Sequence, residues 1–213
     1  MRELATTLTD FLLTAVCLLC AWRLANASSP ARLHGPVVFF AGFAAAALVG
    51  GIWHGFFSDE QTLAQQVVWW LAMLFAGVTA AGLALSGLEL VGVRAMRGPG
   101  LLLATFLTIY ALLAWRDPRF LLSLIASVAG ILVCAAGFVR RLRDAGQPGA
   151  ILGLAGLGLA VVAAVAQQQR VAIDPVRFDH NATYHLLLLP ALALLFGGFR
   201  HLAHIRAAAR GLP

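Results

Sequence analysis

Apolar and polar positions alternate along this chain in long blocks rather than residue by residue. Seven apolar blocks, at about 3–25, 36–57, 62–88, 98–115, 121–139, 149–169 and 180–202, are separated by short polar connections. Each block is close to the roughly 20 residues that carry a helix across a bilayer. Only helices and closed barrels satisfy every backbone group in hydrocarbon, so the blocks predict helices. Nothing of domain size remains between them. The fold class expected is all-α: one polytopic seven-transmembrane-helix bundle, a single domain over 1–213.

The punctuation supports these limits. Gly35-Pro36 opens the second block and Asp117-Pro118 closes the fourth. Asp179 stands where the seventh helix needs an N-cap. Pro190 inside that helix predicts a loosened turn near Leu186. Gly77, Ala81, Gly82 and Ser86 in the third block, and Gly149, Gly153, Gly156 and Ala160 in the sixth, are small-residue stripes for close helix packing. The sixth block follows no strand, so its glycines do not make a phosphate loop.

Composition agrees with a membrane protein. Charged residues are 11% of the chain, against roughly a quarter in a soluble domain. The mean hydropathy is +0.88. The net charge of +6 comes from arginine alone, since the chain has no lysine. A pI near 10.6 in a soluble protein would suggest nucleic acid, but here the arginines sit between the blocks and report topology. Arg23, Arg32, Arg94, Arg97, Arg140, Arg141, Arg143, Arg200, Arg206 and Arg210 fall on one side of seven crossings. That side should be the cytoplasm, which puts the N-terminus outside and the C-terminus inside. The other side carries Asp59, Glu60, Asp117, Asp174 and Asp179 beside Arg116, Arg119, Arg170 and Arg177. Glu89 falls near the inner end of the third block, either solvated or paired with Arg94. The Ala, Gly, Leu and Arg bias suggests a bacterial inner membrane.

Ala25-Asn26-Ala27 fits a signal-peptidase site, but Asp10 interrupts the apolar stretch and Arg23 precedes the cut. The first block is therefore read as a retained helix. Cys17, Cys20 and Cys134 lie inside apolar blocks and are read as small core residues.

Candidate chemistry lies in the few polar residues within the blocks, because placing such groups in hydrocarbon costs kcal/mol. Thr6, Asp10, Thr14 and Cys17 share one face of the first helix. His54 follows Gly50-Gly51 near the end of the second, and Gln65 lies near the start of the third. Asn181 and His185, four apart, share a face at the start of the seventh. His180 is about 140° from His185 on an ideal helix and reaches the same point only from an irregular first turn. Topology puts all of these near the outer face. His201 and His204 lie at the other end and read as solvated or as lipid-headgroup contacts.

Two or three histidines with a carboxylate suit zinc, which in catalytic sites takes three protein ligands and activates a water. A histidine late in helix 2 and a histidine-bearing start of helix 7, in a seven-helix protein, resemble the CREST superfamily. That group comprises alkaline ceramidases, progestin and adiponectin receptor-like proteins and bacterial haemolysin-like relatives. The resemblance implies zinc held by three histidines and hydrolysis of lipid amides. His54 matches the helix 2 histidine and His185 the second histidine of helix 7. Asn181 stands at the first helix 7 position with His180 beside it, Gly50 at the serine position, and Gln65 at the helix 3 aspartate position. The expected enzyme is then a metal-dependent hydrolase of lipid amides or esters. In it His54, His180 and His185 hold zinc, while Asp10 or Asn181 orients the water or the scissile carbonyl. The alternatives are a non-catalytic ligand-binding or sensor-like protein, a structural subunit of a membrane complex, and a haem protein held by His54 and His185. Membrane lipids or another amphiphile are the expected partners, and nucleic acid is not.

Overall fold

The structure, a computed structural model, describes residues 3–27, 33–58, 62–92, 97–117, 119–145 and 147–208. Arg2, Arg32, Asp59, Glu60, Gln61, Arg94, Pro118 and Arg210 lie outside these residues, as do the side chains of Arg97, His204 and Arg206. The helices are α1 (Leu4–Ala25), α2 (His34–Ile52), α3 (Leu63–Leu90), α4 (Arg97–Arg116), α5 (Phe120–Ala145), α6 (Pro148–Gln168) and α7 (His180–Ala208). Six of them are long and apolar enough to cross a membrane. The apolar part of α4, Gly100–Arg116, is shorter. Leu8, Leu18 and Trp22 on α1, Leu102 and Trp115 on α4, and Ile125 and Leu132 on α5 are exposed. Such a surface would be a liability in water and is what a lipid-facing surface requires. The chain is an all-α membrane protein.

The ends of the helices have identifiable causes. Asp179 caps α7, its Oδ1 accepting from the Ala182 backbone N–H at 2.9 Å. Thr62 caps α3 through the Gln65 N–H at 3.2 Å, and Pro148 begins α6. Leu33, at the N-cap of α2, has no side-chain acceptor, and the cap comes from α3 instead. Glu89 accepts from the backbone N–H groups of His34 at 3.1 Å and Gly35 at 3.0 Å. Glu89 is therefore buried rather than solvated. A carboxylate suits the positive end of a helix dipole and satisfies donors that no other backbone group can reach. Arg141 on α5 does the converse, donating from Nε to the Leu90 carbonyl at the end of α3 at 2.7 Å.

Packing closes a ring. α1 lies against α2, α2 against α3, α3 against α5, α5 against α6, α6 against α7, and α7 returns to α1. α4 packs outside the ring on α3, where the Tyr110 hydroxyl donates to the Met73 carbonyl at 2.9 Å. The small-residue stripes do what their spacing predicts. A Cβ on Gly82 would lie 2.4 Å from the Phe39 backbone nitrogen of α2. A Cβ on Gly198 would lie 2.8 Å from the Gly149 carbonyl of α6. Both pairs of helices meet backbone to backbone, which only small residues allow. α7 runs through Pro190 as one helix.

α2 differs from expectation at its end. Residues Trp53–Phe57 form a π-helical turn rather than a continuation of the α-helix. Gly50, Gly51 and Gly55 weaken the α-helical preference there. Gly55 also lets α1 approach, since a Cβ on it would lie 3.1 Å from Thr7 Cγ2. The wider turn re-aims His54 relative to the α2 register, and such turns recur at functional sites.

Candidate functional site

The α1 stripe points inward. Thr6, Asp10, Thr14 and Cys17 are all buried, with Asp10 4% exposed. Thr14 donates to the Asp10 carbonyl of its own helix at 2.9 Å and lies 3.4 Å from the Ala44 carbonyl of α2. Thr6 instead reaches across to α7 and donates to Asp179 Oδ1 at 2.8 Å. The same oxygen caps α7, so α1 and the start of α7 are tied in register.

His185 lies six residues beyond Asp179 and is 8% exposed. Its Nδ1 is 2.9 Å from Thr9 Oγ1, and its Nε2 is 3.4 Å from Asp10 Oδ1. Thr9 has one hydroxyl proton, and the Ala5 and Thr6 carbonyls lie 2.9 Å from that hydroxyl. If the proton goes to a carbonyl, Thr9 accepts from Nδ1–H. If it goes to Nδ1, the imidazole carries its proton on Nε2. His185 Nε2 faces Asp10 Oδ1 across 3.4 Å, a charge contact rather than a short hydrogen bond. Oδ2, the other oxygen of Asp10, is buried and has no hydrogen-bond partner.

The remaining polar groups come from the same end of the bundle. His54 Nδ1 is hydrogen-bonded to the Glu3 carboxylate. The ring of Trp53 stands edge-on to His54 at 5.0 Å and 4.9 Å from Trp69. Trp53 Nε1 is also buried without a partner. Asn181 Oδ1 accepts from Gln167 Nε2 on α6 at 3.3 Å.

These groups enclose one cavity of about 390 Å3 in the middle of the helical ring. Asp10, His54, Asn181 and His185 all line it, together with Glu3 and Gln167. Deeper in, its walls are mainly apolar, with Leu13, Phe43, Ala47, Ala72, Met73 and Leu188 beside the hydroxyls of Thr79, Ser123 and Ser127. Among the described residues, none of α4 lines it. The volume is within the roughly 300–1,000 Å3 of small-molecule sites.

Four of the five expected site residues are thus brought together, and one is not. His180 is half-buried and does not line the cavity. It stands at the regular first turn of α7, and its bearing from His185 carries it off the shared face. Gln65 also lies outside the cavity, with its backbone N–H in the α3 cap. Glu3, Trp53, Tyr184 and Gln167 are lining residues absent from the sequence-based site. The depth rule that found Asn181 applies equally to Gln167, an amide at the same end of α6.

Zinc tests poorly against these side chains. Among the described residues no group of three or more His, Cys, Asp or Glu is placed to hold a metal ion. A metal needs a nitrogen lone pair, and both ring nitrogens of His185 are already engaged. The residues present do not fit a three-histidine centre, and no chemical step is derived through one.

Gly50 sits opposite the carboxylate. A Cβ there would lie 3.5 Å from Asp10 Oδ2, an ordinary contact. Gly50→Ser should therefore fit, and its hydroxyl should donate to the unpartnered oxygen. Thermal unfolding should show a gain of about 1 kcal/mol. A loss of stability would mean that Oδ2 is satisfied in some other way.

Fold and site together define an all-α membrane protein whose helical ring encloses a cavity, polar at one end and mainly apolar below. The chain belongs to the family of unknown function DUF6962, whose model matches residues 5–204. No curated protein matches the chain, and no solved structure does.

Proposed function

We propose that this protein binds a single-chain amphiphile, with the chain in the apolar body of the cavity and the headgroup among Asp10, His54, Asn181 and His185. The observation that carries this reading is the two-part lining of the cavity, with Asp10, His54, Asn181 and His185 at one end and mainly apolar walls deeper in. Binding is favoured over zinc-dependent hydrolysis of the CREST type because His185 already spends both ring nitrogens on Thr9 and Asp10.

In this reading all seven helices cross the membrane, a bacterial cytoplasmic membrane. The arginine-rich ends face the cytoplasm, and the cavity lies toward the outer leaflet. A reporter after Pro213 should then be cytoplasmic and a tag before Met1 external. If α4 does not cross, both termini fall on one side and the seven-crossing topology is rejected.

A long-chain alcohol carrying bromines at mid-chain tests the binding itself. Trp53 and Trp69 line the cavity, so bound probe should quench tryptophan fluorescence saturably in nanodiscs. Ala76→Phe, which fills the body of the cavity, should leave only the linear quenching of probe dissolved in lipid. Ala46→Leu should do so in part. Linear quenching in the unaltered protein would reject the reading.

A further inference from the structure

The cavity has a limited volume and a closed deep end, and both bear on the length of the chain it can take. Its volume is about 390 Å3. At roughly 30 Å3 for a water-sized group, that holds on the order of thirteen non-hydrogen atoms. The lining spans Trp69 to Thr79 on α3 and Asn181 to Leu188 on α7. At about 1.5 Å of rise per residue these stretches are roughly 15 Å and 10 Å long. Beyond them the bundle is packed. Cys17, Phe40, Leu83 and Leu192 each lie three or four residues further from the polar end than Leu13, Phe43, Thr79 and Leu188, the deepest lining residues of α1, α2, α3 and α7. All four belong to the buried core. Phe40 also meets Phe196 edge-on at 6.2 Å, which joins α2 to α7 beneath the cavity. A chain entering among the polar residues therefore stops at this layer.

The deep hydroxyls do not require a polar tail. Thr79 donates to the Phe75 carbonyl at 2.8 Å and Ser123 to the Phe120 carbonyl at 2.7 Å, each within its own helix. Methylenes can lie against both. With a headgroup of a few atoms among Asp10, His54, Asn181 and His185, the remaining volume holds about eight to ten carbons. A two-chain phospholipid or an octadecyl chain exceeds both the volume and the depth. Its extra methylenes gain nothing by folding back into the cavity, because the bilayer already keeps them in hydrocarbon, and an overfilled cavity strains its walls. We infer that the cavity is a length ruler for a single-chain amphiphile of about eight to ten carbons, whose methyl end rests on Phe43, Thr79 and Leu188. The inference rests on the amphiphile-binding reading above and adds the length of the chain.

The test is a displacement series in nanodiscs. The full-length protein carries the brominated alcohol, and unbrominated straight-chain alcohols displace it: hexanol, octanol, decanol, tridecanol and octadecanol. Midpoints are expressed as mole fraction in the bilayer, so partitioning does not count. Octanol or decanol should displace the probe at a mole fraction about tenfold lower than hexanol, which leaves space unfilled, or octadecanol, which overfills it. Phe43→Ala removes a ring from the floor and should move the optimum up by about three carbons, toward tridecanol. Ala46→Leu, one turn above Phe43, should move it down, toward octanol or hexanol. Opposite shifts of the optimum are a readout that a general loss of fold would not produce. Midpoints that fall steadily through octadecanol, or that do not depend on length, would overturn the ruler and leave amphiphile binding standing. An optimum that neither variant moves would also overturn it. Absence of saturable quenching by the probe would remove both readings.

Discussion

Gly82→Ala should be among the most damaging single-methyl changes in this fold. The added Cβ would lie 2.4 Å from the Phe39 nitrogen and 2.7 Å from its Cα, both backbone atoms of α2. No side-chain rotation relieves such a contact, so α2 and α3 must separate. The expected loss is about 3 kcal/mol, at the upper end of overpacking penalties. Cys17 and Cys134 are fully buried, so a thiol-reactive dye during a thermal ramp reads the opening of the core. Gly158→Ala is the control, since nothing lies within 4 Å of its Cβ position. It should unfold where the unaltered protein does or slightly higher, because alanine favours a helix. Equal midpoints for the two variants would contradict the packing of α2 on α3.

Asp10→Asn should separate stability from binding. An ionisable side chain inside the membrane is costly, and one oxygen of Asp10 has no partner. Asparagine keeps the size and the contact with His185 while removing the carboxylate. Unfolding should move up by about 1 kcal/mol, and binding of the brominated alcohol should weaken roughly tenfold. Residues that serve a ligand show this opposition, whereas a structural carboxylate would lose stability when replaced. A fall in both quantities would make Asp10 a packing element of α1 and α7.

Much of the fold was legible because hydrocarbon leaves few choices. Backbone groups with no water to bond must be helical, so apolar block length alone located the helices to within a few residues, α5 and α7 running on furthest past the blocks. Asp179 could be read as a cap from its place before an apolar helix. The Thr6, Asp10, Thr14 stripe follows from helical periodicity. What could not be read depends on contacts distant in sequence. Nothing near His34 says that Glu89 caps its helix; of the two readings from spacing, solvation is overturned, and pairing with Arg94 falls outside the described residues. The same holds for Glu3 with His54 and Gln167 with Asn181. The π turn at Trp53–Phe57 is a choice between two nearly equal backbone hydrogen-bond patterns, and glycine content hints at it without specifying it. His180 shows the opposite error. Its chemistry suggested a ligand, but its bearing on a regular helix keeps it off the face that Asn181 and His185 share.

The central claim is that a ligand completes the cavity below Asp10 and Trp53. Native mass spectrometry of protein released from its own membrane without detergent exchange tests it most directly. The expected spectrum shows the chain with one single-chain amphiphile, lost in the Ala76→Phe variant while the folded charge-state distribution is kept. A bare chain, or an adduct that survives in the filled variant, would contradict the account.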